Sequence, residues 1–304
     1  MNFSALLVKM FIFFVLIIIG YLAARNGMIS EEFSKSASAL LVNVFIFASI
    51  VNSVLGERPE LSNAEAMKAL GILTVMILLL YLGGFAFAWF FRKQDDAPQT
   101  ELLVSSVNNL FVGLPVAQAL FGTEAVFYCG LSCVPYNIFL YTYGVWRLRK
   151  NGGKGSLKDI LTPCLIASLL ALVIFLFNIQ VPGVIKELLS SVSGATVPLS
   201  MIVIGATLGK ISLLDAFREK RIYALSLMRL VIVPVAVYFI MRLITDNTVL
   251  LVTVTVLAAT PSAMIITPLS IRYGYNPEYS SKTIMVTTLL SMITMPALVY
   301  ILFM

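Results

Sequence analysis

The stretch VNNLFVGLPVAQALFG at 107–122 sets adjacent amides, Asn108 and Asn109, one turn ahead of Gly113 and Pro115, inside a run apolar enough for hydrocarbon. A second stretch, TPSAMIITP at 260–268, sets Thr260 and Ser262 around Pro261, with Thr267 and Pro268 beyond. Proline inside a helix removes a hydrogen bond and clashes with the preceding turn. At membrane depth the freed backbone groups are tolerated only where they pack in protein or line a wet cavity. Paired breaks, Gly113 to Pro115 and Pro261 to Pro268, are therefore expected near mid-membrane, with a binding site between them. Half-helix N-termini present free N–H groups and a partial positive charge that suits an anion, whereas C-terminal ends suit a cation or proton. Amides add directional donors without a fixed charge.

Three more polar residues within apolar runs join this set. Asn137 follows the first break by one span and is a candidate for the cavity wall or a structural hydrogen bond. Asn43 lies in an earlier span. Arg229 is a cation deep in an apolar run, open to three readings: snorkelling, a carbonyl partner, or direct contact with an anionic substrate. Lys9, nearer a span end, is expected to snorkel. Glu101, Glu124, Glu187 and Glu278 all fall near the expected span ends, so no carboxylate is expected deep in the membrane for a proton relay or sodium site.

The same composition narrows the chemistry. The chain of 304 residues has no histidine and three cysteines, Cys129, Cys133 and Cys164, all within apolar runs and read as small buried fillers. No metal centre or cofactor is expected, and no nucleophile, base and orienting group can be assembled as an enzyme would need.

Those residues must be positioned by membrane helices. With 60% hydrophobic and 12% charged residues, the chain lies far from the soluble balance. Its apolar runs of about 20 residues suit helices crossing about 30 Å of hydrocarbon, not barrel strands. The pattern predicts an all-α integral membrane protein with ten transmembrane helices near 5–24, 35–55, 69–91, 101–121, 125–146, 159–178, 187–208, 220–243, 248–271 and 282–303. The first run lacks the profile of a cleaved leader.

The odd-numbered loops hold 15 of the 21 lysines and arginines and the even-numbered loops only Arg58, Lys68, Lys186 and Arg242. The positive-inside rule then makes the odd loops cytoplasmic and both termini extracytoplasmic in a multi-pass protein of the cell membrane. This placement accounts for the net charge of +6 without a nucleic acid partner.

RLRKNGGKGSLKD, the longest basic connector, falls between the two sets of five spans. It predicts a five-helix repeat over 1–150, a cytoplasmic basic linker at 151–158 and an inverted second repeat over 159–304, because an odd number of spans turns the second copy over. Pro115, Phe121, Gly122 and Glu124 in the fourth span match Pro268, Tyr273, Gly274 and Glu278 in the ninth.

The pattern Asn108-x-x-Phe111-x-Gly113-x-Pro115, then ALFGTEAVFY and Asn137 in PYNIFLYTYG, resembles the auxin efflux carrier family, whose bacterial members include malate and malonate permeases. GYLAARNGMIS at 20–30, VPLSMIVIGATLG at 197–209, RLVIVP at 229–234 and the stretch from Thr260 to Leu298 carry the same resemblance across nearly the whole chain. It implies two inverted five-helix repeats with broken, crossing fourth and ninth helices, and transport of small organic anions as a crossover domain moves against a scaffold, often in a homodimer. It points to Asn108, Gly113, Pro115, Asn137 and the surroundings of Pro261. One departure is VFIFASI, where Phe47 stands at the place of the family's usual proline, with Ser49 beyond it.

The expected function is a secondary transporter of small carboxylates by alternating access, its partners being the anion, membrane lipid and a second copy of the chain. The alternatives are a sodium-coupled symporter of related fold and a membrane receptor without turnover.

Overall fold

The structure is a computed structural model that describes residues 3–55, 60–149, 161–209 and 213–303. The expected linker at 151–158 and Arg58 lie outside the described residues, as does the side chain of Lys9.

Helix predominates among the described residues of the stretches that hydropathy marks, with non-helical breaks at 106–108 and 259–265. Among the described residues, six helices are long and apolar enough to cross a membrane: Glu31–Leu55, Asn63–Trp89, Asn109–Leu148, Gly183–Leu208, Lys220–Arg242 and Pro277–Phe303. Shorter apolar helices include Pro163–Phe177 and Thr248–Ala258. The helix Phe3–Arg25 opens the chain.

Local sequence explains where several begin. At Asn63–Trp89, Ser62 Oγ accepts from Glu65 N (3.2 Å) while Glu65 Oε2 accepts from Ser62 N (2.8 Å), a reciprocal capping box. Thr162 caps Pro163–Phe177 by accepting from Leu165 N at 3.1 Å, with Pro163 in the first turn where its missing N–H costs nothing. Asn247 caps Thr248–Ala258 through Leu250 N at 2.9 Å.

The two glycines matched by the sequence pattern both have positive φ. Gly122 (φ 62°) bends the helical run Asn109–Leu148, and Gly274 (φ 72°) follows Ile266–Arg272. There Tyr275 N bonds Ser270 O at 2.8 Å and Gly274 N bonds Ile271 O at 3.3 Å, the pair of bonds that closes a helix through a left-handed residue.

The chain divides into two compact units, each drawing on both halves of the sequence. The first comprises residues 1–71, 110–134 and 161–210. Within it, Phe3–Arg25 packs on Thr196–Leu208 at a glycine-to-backbone approach: a Cβ on Gly20 would strike the Ile202 carbonyl, and one on Gly205 the Ile17 carbonyl. Where Phe47 replaces the expected proline, the helix widens into a π turn over Leu41–Ile46. Thr196 Oγ1 donates to Phe45 O at 3.1 Å, and Ser49 Oγ lies 2.7 Å from Thr196 Oγ1 and 3.1 Å from Ser193 Oγ. Cys129, Cys133 and Cys164 are buried here.

The second unit comprises residues 72–109, 135–160 and 211–304. Its polar interior is of a different kind and holds both interrupted helices.

Candidate functional site

Within the second unit two helices stop and their chain segments cross. Helix Ala97–Ser105 ends as Ser106 turns extended (φ −86°, ψ 121°). Helix Thr248–Ala258 ends at Ala259, and Thr260 Oγ1 bonds back to Leu257 O at 2.7 Å. Pro261 then offers no N–H to prolong the helix. Over Ser106–Asn108 and Pro261–Ala263 the strands run antiparallel, Val107 opposite Ser262. Ala263 N donates to Ser106 O (3.0 Å) and Asn108 N to Pro261 O (3.1 Å). Each break thus supplies the partners that the other lacks, which meets the rule that irregular backbone inside a membrane protein must be satisfied from within.

Side chains lock the crossing. Ser262 Oγ donates to Leu103 O at 2.6 Å, and Ser262 N donates to Thr287 Oγ1 at 3.3 Å. Thr287 itself bonds its own helix at Thr283 O (2.7 Å), so its contact with Ser262 rests on a lone pair. Gln99 Nε2, buried, reaches Ser270 Oγ at 2.9 Å and Asn276 O at 2.6 Å, tying the helix before the first break to the one after the second.

Arg229 is completely buried in a π turn, Met228–Ile232, which rules out snorkelling. Its Nη1 donates to Ala258 O at 2.5 Å and its Nη2 to Thr260 Oγ1 at 3.3 Å, so it takes the carbonyl partner. Asn108 is 5% exposed and its Nδ2 donor has no hydrogen-bond partner among the described residues. Unused amide donors at such depth are costly unless a ligand or water takes them.

The structure gathers Asn108, Asn109, Asn137, Arg229, Thr260, Pro261 and Ser262 into this unit, all buried. Gly113 and Pro115 are buried in the first unit, and Asn43 is exposed there in the π turn Leu41–Ile46.

One expectation needs correction. The first interruption is not at Gly113 to Pro115: residues 109–113 form a π turn and Pro115 is the second residue of the helix that follows. The extended residues come earlier, at Ser106 to Asn108, because their hydrogen-bond partners are at 261–263. Pro268 likewise lies inside Ile266–Arg272, so the second interruption spans 259–265.

A buried acid lies beside the first break. Glu101, expected near a span end, has a side chain with no exposure, and it sits just over one helical turn before Ser106. Arg147 Nε and Nη2 reach its Oε2 at 2.9 and 2.6 Å, and Tyr143 OH donates to its Oε1 at 2.5 Å. Nearby, Arg221 pairs with Asp96 at 2.7 Å, donates to Thr100 Oγ1 at 2.6 Å and lies 4.4 Å from the Phe91 ring centroid. The density of polar residues in QTELLVSSVNN at 99–109 was the available signal for this network.

A depression of about 540 Å³ is formed by residues 89–94 at the end of one helix, and its lining includes Phe91, the ring beside Arg221. Among the described residues no group of three His, Cys, Asp or Glu side chains could hold a metal ion.

A family model described as membrane transport protein matches residues 5–157 and 147–299. An uncharacterized transporter of Methanocaldococcus jannaschii is 28% identical over 296 residues, covering 92% of this chain and 93% of that relative. One from Methanothermobacter thermautotrophicus is 28% identical over 289 residues, with 93% of each covered. The uncharacterized transporter YfdV of Escherichia coli is 21% identical over 211 residues, 64% of this chain and 66% of that relative.

Proposed function

Because this chain belongs to the membrane transport protein family of auxin efflux carriers, we propose that it carries small organic anions, carboxylates, by alternating access, with the crossing as its substrate site. The observation that carries the reading is the buried, unused Nδ2 donor of Asn108 at a crossing of two broken helices. The helical run that starts at Asn109 adds its N-terminal partial positive charge beside that donor. A carboxylate arriving there would accept from Asn108, with Asn109 and Asn137 as further amides of the site and Thr260, Pro261 and Ser262 shaping its floor. Gly113 and Pro115 serve by shaping the start of the helical run that begins at Asn109.

The full architecture in this reading is ten spans in two inverted repeats, 1–150 and 159–304, with both termini outside the cytoplasm and two copies of the chain forming a homodimer. Its support is the pairing of features: one interrupted helix in each half, followed in each by a glycine of positive φ. The crossing would open alternately to either side of the membrane as a crossover domain moves.

Uptake by purified protein in lipid vesicles, across a panel of mono- and dicarboxylates beside an organic cation of similar size, tests this. Saturable uptake of one or more carboxylates, lost in Asn108→Ala protein that still folds, is the expected result. Equal uptake of the cation and a dicarboxylate would remove the anion preference.

A further inference from the structure

Arg229 has a role that substrate contact does not explain. Its guanidinium is fully buried, and among the described residues no carboxylate pairs with it. Its Nε has no acceptor among them either. What it holds instead is the end of a helix. Ala258 is the last residue of Thr248–Ala258, and the last four carbonyls of a helix lack intrahelical partners and carry a partial negative charge. Thr260 has spent its proton on Leu257 O, so it faces Nη2 with a lone pair. A backbone carbonyl and a hydroxyl lone pair at an unwound helix end are the oxygen donors that bind a sodium ion where transporters couple to one.

We infer that Arg229 is a tethered cation: it stands in for a coupling sodium ion at the second helix break, so that transport by this chain needs no sodium. The inference rests on the carboxylate reading above for its transport readout, though not for its structural one. A sodium ion there would be exchangeable and would link its own gradient to the solute. A guanidinium on a buried stem supplies the same charge permanently. It cancels the negative end of Thr248–Ala258 beside a site meant for an anion. The π turn Met228–Ile232 carries this residue, a local widening of the kind often found where a side chain must be re-aimed for function.

The experiment compares the parent, Arg229→Lys and Arg229→Ala in vesicles, with sodium or choline as the external cation. It adds a second readout, unfolding temperature in detergent without any substrate. The parent should take up carboxylate equally in sodium and in choline, and its unfolding temperature should not respond to sodium. Arg229→Lys should behave alike with a reduced rate. In choline, Arg229→Ala should lose uptake by about ten- to hundredfold, the size of one lost charge-assisted hydrogen bond at a decade per 1.4 kcal/mol. Millimolar guanidinium, sodium or lithium should restore part of that uptake and raise its unfolding temperature. If Arg229→Ala does not fold, Arg229→Gln, which keeps a donor but no charge, replaces it. Sodium-stimulated uptake by the parent overturns the inference. So does a neutral variant that matches the parent in choline, or one that no cation rescues in either readout. If the parent moves no carboxylate, the transport reading fails, and the unfolding temperatures still decide the role of Arg229.

Discussion

The two compact units solve the same problem, burying helices in oil, with different materials. In the first, two helices approach until glycine meets backbone, at Gly20 and Gly205, and a buried cluster of neutral hydroxyls, Ser49, Ser193 and Thr196, joins others. In the second, one glycine, Gly84, also approaches backbone, but the interior holds an ion pair, Glu101 with Arg147, an arginine with no acid partner among the described residues, Arg229, and two helices that stop. Without a hydrophobic drive between helices in lipid, close packing through small residues holds a bundle together with little electrostatic risk. Buried charge and open backbone cost far more and are retained where they act on a solute. On the proposed reading, the first unit serves stability and the second, with its crossing, serves the solute.

The largest expected effect lies in the second unit. Arg147→Met leaves Glu101 buried and unpaired except for Tyr143, which should cost about 3–5 kcal/mol of stability. Glu101→Gln should cost less, because the Arg147 side chain is 26% exposed and its stem can carry the charge toward water. The double variant should be more stable than Arg147→Met alone, since it removes the orphaned charge. Unfolding temperatures of the four proteins measure this, and a double variant no better than Arg147→Met would mean that the pair acts mainly through packing.

In the first unit the matching experiment is Gly205→Ala. The new methyl group would strike the Ile17 carbonyl, and backbone cannot yield as a side-chain tip can. The two helices must separate, at a cost of about 1–3 kcal/mol. Detergent unfolding should show the loss, and uptake per folded molecule should stay near the parent's. A Gly205→Ala protein of parental stability would show that this interface is looser than the approach of the two backbones implies.

Asn108→Ala sharpens the comparison from the other side. Its backbone N–H keeps the bond to Pro261, and its Nδ2 bonds nothing among the described residues, so the unfolding temperature should move by less than about 2 °C, under half a kcal/mol. Uptake should fall about tenfold or more if that donor serves the solute. Parental uptake would retire Asn108 from the site.

The helical class could be read from residue order, whereas the division into two units that each draw on both halves could not. Helices were legible because apolar runs of membrane length admit little else, and the existence of two breaks because Pro115, Pro261 and Pro268 are strong local signals. The position of the first break was not legible. Its extended residues, Ser106 to Asn108, are held by partners more than 150 positions away, whereas Pro115 is absorbed just after the widened turn 109–113. The ion pair of Glu101 was not legible for the same reason, as its partner Arg147 lies 46 residues further along. Arg229 could be placed at depth by counting from Arg221, but which of three roles it took depended on where Ala258 came to lie. Asn43, polar within an apolar run, is exposed in the first unit.

The smallest effect tests whether the neutral hydroxyls of the first unit are glue alone. Ser49→Ala removes the bond to Ser193 and the contact with Thr196, but Thr196 keeps Phe45 O as an acceptor, so little is left unsatisfied. The cost should be about 0.5–1.5 kcal/mol, the net worth of an ordinary hydrogen bond, and less if the alanine methyl group packs well in the same space. Uptake should match the parent's at every carboxylate concentration, since nothing charged and no open backbone depends on this hydroxyl. A shift in apparent affinity with unchanged unfolding temperature would reverse the assignment, because it would put solute-dependent chemistry in the unit built from close packing.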